Sequence, residues 1–261
     1  MSDFETILFA VEDGVATITI NRPKVLNALN DTVLADLTRC FRDIRRHEEV
    51  KGVMITGAGD KAFIAGADIA VMEGMTPLQA RHFCEAGHRC MRAIEMCHAP
   101  VVAAVNGFAL GGGLELALSC DFIYAATNAK MGLPEVNLGL FPGFGGTQRL
   151  PRLIGRNRAK ELIYTARLLS AEEAFSWGIV NKVVEPAELL NAVKGVLKTI
   201  LKKGPVAIQL AKRVMNEGTD LPLASGLAFE ENTFPMIFGT EDKTEGVRAF
   251  LEKREARFTG K

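Results

Sequence analysis

The chain has 261 residues, 31 of them basic (Lys and Arg) and 31 acidic, which is enough for one main core with an appended segment but short for two large domains. Balanced charge without any like-charge block argues against a nucleic-acid partner or a polybasic membrane partner, and leaves a small molecule as the expected ligand. The N-terminal stretch MSDFETILFAVEDG carries acids where an export leader needs bases. No apolar run approaches the roughly eighteen residues of a membrane helix, so the chain reads as cytosolic (cytoplasmic).

In chain order, the alternation in ILFAVEDGVATITINRP, broken at Asp13-Gly14, predicts a two-strand hairpin turned by DG. Asp31 is the expected N-cap of a helix through LADLTRCFRDIRR. VKGVMITG predicts a strand, AGDKAFIAGADI a glycine-alanine loop, and residues 76–97 a helix opened by Thr76-Pro77. The strand VVAAVNG, a triglycine with its helix, the strand FIYAAT and a short strand near Ala129 to Gly132 continue the alternation. On its own that pattern predicts a parallel sheet with crossover helices. Beyond about residue 145 the pattern is helical from RLPRLIG to EGVRAFLEKREARF, with only IVNKVV strand-like.

Cys40, Cys84, Cys90, Cys97 and Cys120 include no CxxC pair and read as free, half-buried thiols. Three of them share a segment with His82, His88 and His98. Spacings of six and seven between those cysteines do not gather a compact ligand set, so no metal is expected.

The chemistry concentrates at residues 107–121, GFALGGGLELALSCD, and in MGLPEVNLGLFPGFGG, where Glu115 and Glu135 stand among glycines and apolar residues. If a helix starts at the glycines, Gly112 and Gly113 occupy its first turn, where backbone N–H groups lack intrahelical partners and can hold a developing oxyanion. The small residues Ala65-Gly66-Ala67 offer a second amide. Two carboxylates around one reacting centre can divide acid and base roles, with mutual repulsion keeping one protonated near neutral pH. The same glycines also suit close helix packing, and a first-turn glutamate suits the helix dipole. The run lacks GxGxxG spacing, and no GxSxG is present to suggest a nucleophilic serine.

Taken together, NRPKVLNAL (21–29), KAFIAGADI (61–69), PVVAAVNGFALGGGLELALSCDFIYA (100–125), GLPEVNLGLFPGFGGTQRLPRLIG (132–155) and EDKTEGVRAFLEKR (241–254) resemble the enoyl-CoA hydratase (crotonase) family over essentially the whole chain. The resemblance implies an α/β fold: a spiral core of ββα turns, taken as residues 1–200, and a C-terminal helical segment, 201–261, that builds homotrimers or dimers of trimers. It implies an acyl-CoA thioester as substrate with no further cofactor. The amides of Ala67 and Gly112 would hold the thioester oxygen, Glu115 would activate water and Glu135 would protonate the α-carbon. By the same resemblance Lys24, Val25, Leu26, Ala65, Asp68 and Ile69 would contact coenzyme A, and Phe234 and Lys253 would reach a neighbouring subunit's ligand.

In two places the chain departs from the family's pattern. Leu133 stands where a glutamine is common, which leaves room for a substrate other than a simple straight-chain enoyl group, and Ala70 replaces a common basic residue near the phosphates. The expected reaction is hydration of a short-chain 2-enoyl-CoA. An isomerase, a hydratase for cyclic or branched enoyl-CoA, and a non-catalytic RNA-binding relative are the alternatives, the last disfavoured by the neutral charge.

Overall fold

The computed structural model describes residues 3–47 and 49–261. Strands β1 (Ile7–Glu12) and β2 (Val15–Ile20) form the expected hairpin, with Glu12 opposite Val15. Asp13 and Gly14 both take positive φ, 50° and 78°, as a two-residue turn of matching twist requires. Helix α1 (Asp31–Ile44) follows, but its N-cap is Asn30 rather than Asp31. The Asn30 side chain accepts the Val33 N–H at 3.0 Å, which leaves Asp31 in the first turn, where a negative charge suits the helix dipole.

The remaining elements arrange themselves in repeating turns. The first runs from β3 (Gly52–Gly57) through β4 (Ala62–Ile64) to helices α2 (Ile69–Met72) and α3 (Pro77–Glu95). A second runs from β5 (Val101–Val105) through β6 (Phe108–Leu110) to α4 (Gly112–Ala117), and a third from β7 (Phe122–Ala126) through β8 (Lys130–Gly132) to a 3-10 turn at Pro134–Leu138. In each turn the first strand joins one sheet, ordered β1-β2-β3-β5-β7 and closed by β10 (Lys182–Val184); the second joins another, ordered β4-β6-β8 and closed by β9 (Leu169–Ser170).

Two sheets therefore replace the single parallel sheet that alternation alone predicted. The cause is linker length: only residues 58–61, 106–107 and 127–129 separate the paired strands. A parallel neighbour in the same sheet needs a crossover of about a dozen residues or more. So short a link instead turns the chain into a second sheet, and the result is the ββα spiral that the family resemblance implies. AGDKAFIAGADI is accordingly more than a loop, since it contains β4 and the start of α2.

Strands β3 and β5 are buried along their whole length, as apolar runs in the middle of a covered parallel sheet should be. One face packs against α1 and α3, the latter opened by a capping box between Thr76 and Gln79.

After the third turn, α5 (Gly146–Ile154), α6 (Arg156–Thr165) and α7 (Ala171–Ser176) lead to β10. Helix α8 (Leu189–Ile200) then covers the opposite face of the large sheet through Leu189, Val193 and Leu197. Helices α9 (Pro205–Gly218), α10 (Leu223–Thr233) and α11 (Glu241–Leu251) bury little of their own surface. They are tied back by Lys212, whose Nζ meets Asp121 Oδ2 at 2.8 Å and the Ala99 carbonyl at 3.2 Å. Leu223, Leu227, Phe234, Phe238, Phe250 and Leu251 stay exposed along this segment. No helix among the described residues is long and apolar enough to cross a membrane.

Candidate active site

The three consecutive glycines do different things. Gly111 has φ +50°, a conformation that suits glycine, and a Cβ there would sit 2.9 Å from Glu135 Oε1. Gly112 faces Leu29 and Phe144, and a side chain on Gly113 would overlap the Ile64 carbonyl of β4. The run thus serves close helix packing. It also brings the first turn of α4 against the cavity, with the Gly112 N–H too early in the helix to have a helical acceptor.

Ala67 reaches the same cavity from the other side. Its segment forms a single parallel bridge with Leu29: Leu29 N–H donates to the Gly66 carbonyl at 2.9 Å and Asp68 N–H donates to the Leu29 carbonyl at 2.8 Å. In such a bridge the middle residue's own N–H points away from the partner. Ala67 therefore turns its amide away from Leu29, and the residue is part of the cavity lining.

That cavity, about 400 Å³, is lined by Ala65, Ala67, Ile69, Gly112, Glu115 and Glu135 together with apolar side chains. Glu115 is 1% exposed. Its Oε1 accepts the N–H groups of Phe144 at 2.8 Å and Gly146 at 2.7 Å, so Oε2 is the oxygen left to work in the cavity. Burial raises its pKa, against the opposing pull of those two amides and of Arg149. Glu135 follows Pro134 in the 3-10 turn, and its Oε2 is buried without a hydrogen-bond partner. Burial first, and the Glu115 charge in addition, push its pKa up to about 7. Two carboxylates at one cavity thus have different environments, Glu115 buried and anchored by two amides and Glu135 half-buried with one oxygen left without a partner.

The residues expected to contact coenzyme A do not all reach the cavity of a single chain. Ala65 and Ile69 line the cavity, and Leu26 adjoins it, because the Leu26 carbonyl accepts the Ala65 N–H at 3.0 Å. Lys24, Val25 and Leu26 are exposed on a 3-10 turn at Pro23–Val25 and just after it. The Asp68 carboxylate is engaged by Arg22 at 3.1 Å. Phe234 and Lys253 lie in the C-terminal segment, exposed and outside the cavity of a single chain. Leu133 is fully buried beside Gly146 and does not line the cavity, so this departure alters the surroundings of Glu115 rather than the space for substrate. Ala70 is exposed.

Sequence reasoning passes over three contributors. The amides of Phe144 and Gly146 hold Glu115, and their only signal is the GFGG run inside the 132–155 block, which by itself implies no role. Arg149 fixes that loop through the Phe144 carbonyl at 2.9 Å and pairs with Glu95 at 2.6 Å. Arg22 is the third, binding Asp68 and the Ala28 carbonyl on either side of the bridge that carries Ala67. No group of three or more His, Cys, Asp or Glu among the described residues is placed to hold a metal ion.

The family model for enoyl-CoA hydratase/isomerase matches residues 10–261. The chain belongs to the enoyl-CoA hydratase/isomerase family. It is 49% identical over 258 residues to a crotonyl-CoA hydratase of Syntrophomonas wolfei, covering 99% of each chain. A short-chain-enoyl-CoA hydratase of Clostridium acetobutylicum is 47% identical, with 97% of each chain covered. The crystal structure of an enoyl-CoA hydratase from Bacillus anthracis superposes with a TM-score of 0.95 at 41% identity, covering 98% of this chain and all of that one.

Arg22 braces the backbone on both sides of the bridge that carries Ala67. Arg22→Met is expected to lower kcat by roughly 10- to 100-fold, the scale of a small misplacement of a catalytic group. KM should change little and Arg22→Lys should recover part of the loss. A variant with normal kcat and only a lowered melting temperature would assign the ion pair to stability alone.

Proposed function

We propose that the protein is an enoyl-CoA hydratase, a hydro-lyase that adds water across the 2,3 double bond of a short-chain 2-enoyl-CoA to give the 3-hydroxyacyl-CoA. The observation that carries this reading is the pair Glu115 and Glu135 on one cavity with the Ala67 and Gly112 amides. The hydratases at 47–49% identity over nearly the full chain support the short-chain substrate.

In the proposed reaction the two amides hold the thioester oxygen as it gains negative charge, each such donor being worth about 3 kcal/mol in the transition state. Glu115 Oε2 takes a proton from water while the water oxygen bonds to the β-carbon. Glu135 gives its proton to the α-carbon, so both additions occur on one face. Water supplies both added groups, H and OH, because the proton gained by Glu115 replaces the one lost by Glu135 over the cycle. Lys24, Val25, Leu26, Ala65, Asp68 and Ile69 form the coenzyme A side of the cavity. No cofactor beyond the acyl-CoA substrate takes part.

The exposed apolar face of 201–261 serves assembly into trimers or dimers of trimers, with Phe234 and Lys253 completing a neighbour's site. Exposed apolar side chains gathered along one segment are characteristic of interfaces.

The direct test is loss of the conjugated enoyl thioester absorbance on crotonyl-CoA. Rapid loss with 3-hydroxybutyryl-CoA as product is the expected result; binding without hydration would overturn the reading. The pH profile is a second check. Because the Glu135 pKa is raised to about 7, its proton is present below that pH and absent above it. Hydration kcat/KM should therefore fall as pH rises through about 7, and dehydration kcat/KM should fall with it, because both directions use the singly protonated pair and share one pH-independent equilibrium constant. A hydration rate flat from pH 6 to 9, in units where ~1 pH unit spans a tenfold change in protonation, would remove Glu135 from the proton-donor role.

A further inference from the structure

Two aromatic rings, Phe83 on α3 and Phe144 in the loop before α5, form part of the apolar lining of the cavity. They pack edge to face with centroids 5.2 Å apart, and both are nearly buried, 6% and 5% exposed. Beyond Phe83 lies a second pocket of about 520 Å³ whose mixed lining includes Val71 and Ala86 as well as His82 and Arg89. Met75 and Phe83 line both spaces and so form the partition between them.

One glycine decides where the rings can lie. Gly87, one turn beyond Phe83 on α3, has helical backbone and no conformational need to be glycine. A Cβ there would overlap the Phe144 ring, whose atoms are its three nearest neighbours. The missing side chain is therefore a notch that lets the ring lie back from the cavity. The same residue, Phe144, donates its N–H to Glu115 Oε1 at 2.8 Å.

We infer that Gly87, Phe83 and Phe144 together set the acyl-chain length this enzyme accepts, with Gly87 seating the Phe144 ring and Phe83 closing the wall toward the second cavity. The inference rests on the hydratase reading for its kinetic form, but the gate itself concerns binding. Carboxylates that act on the α- and β-carbons leave the rest of the acyl chain to run along the apolar lining toward these rings. Each further methylene that finds apolar wall is worth roughly fourfold in kcat/KM or affinity, and one that meets a closed wall gains nothing.

The experiment measures hydration of crotonyl-, hexenoyl- and octenoyl-CoA, and binding of butyryl- and octanoyl-CoA, which a hydratase does not consume. Phe83→Ala is expected to raise the octenoyl-to-crotonyl ratio of kcat/KM, and the octanoyl-to-butyryl ratio of affinity, by roughly tenfold or more, as a few newly buried methylenes would give. Gly87→Ala is expected to move the ring into the cavity, lowering the hexenoyl-to-crotonyl ratio about tenfold. Removing the ring in Gly87→Ala/Phe144→Ala should restore that ratio.

Ratios within twofold of wild type in Phe83→Ala, or a Gly87→Ala defect that persists in the double variant, would overturn the gate. If Phe83→Ala does not fold, Met75→Ala opens the same partition and is read in the same way. A wild-type protein that binds these thioesters without hydrating any would overturn the hydratase reading, while the binding ratios would still decide the gate.

Discussion

Glu115→Gln lowers kcat for crotonyl-CoA hydration by roughly 10²- to 10⁴-fold, the loss expected when a positioned general base is removed. KM should stay within a few-fold. The geometry makes this substitution unusually clean. The amide oxygen of the glutamine can accept the same two N–H groups, from Phe144 at 2.8 Å and Gly146 at 2.7 Å, so the side chain keeps its place. Its NH₂ then faces the cavity, where it can donate but cannot take a proton from water. Stability should hold or rise, because a carboxylate whose pKa is raised chiefly by burial is being replaced by a neutral group. Progress curves on crotonyl-CoA, beside a thermal melt, give both readings. A variant that retains more than about a tenth of wild-type kcat would sink the base assignment, since general-base effects start near 10²-fold.

Glu135→Gln produces a loss of similar size, roughly 10²- to 10⁴-fold in kcat, and also removes the pH dependence near neutrality. Its stability effect has a definite sign. The folded carboxyl has a pKa raised from 4.5 to about 7, so the native state holds its proton more tightly than the unfolded chain. That contribution is fully present below 4.5 and disappears as pH rises through about 7. Glutamine has no proton to lose. The variant should therefore melt higher than wild type at pH 8, by an amount on the order of 2–4 °C per kcal/mol for a chain near this size, and lose that advantage at acid pH. Equal melting differences at pH 5 and pH 8 would mean that the Glu135 pKa is not raised in solution.

Both glutamates stand out in the sequence alone, for a physical reason: an ionisable residue inside an apolar, glycine-rich run is costly to bury, so its position demands an explanation. The anchoring of Glu115 is not legible in the same way. The amides that hold it come from Phe144 and Gly146, separated from it by 29 and 31 residues. Any residue type except proline carries a backbone N–H, so nothing in local composition marks these two as donors. Arg22 is hidden for a related reason, since its partner Asp68 is 46 residues away and each is an ordinary charged side chain in its own neighbourhood.

The fold divides along the same line. The DG hairpin, the Thr76-Pro77 helix start, the buried strands of the large sheet and the helical C-terminal part are written in local periodicity and turn chemistry, which act over a few residues and need no distant partner. The second sheet is made of strands as short as two or three residues, too brief to establish a period, and only pairing between successive turns of the spiral gives them hydrogen-bonding neighbours. Sequence by itself determined the two carboxylates, the small residues of the amide loop and the family blocks, because residue identity alone fixes those. Tertiary structure decided which carboxylate is anchored by amides, which keeps an unpartnered oxygen and which rings line the cavity, because these depend on burial and on contacts between segments that the chain holds far apart.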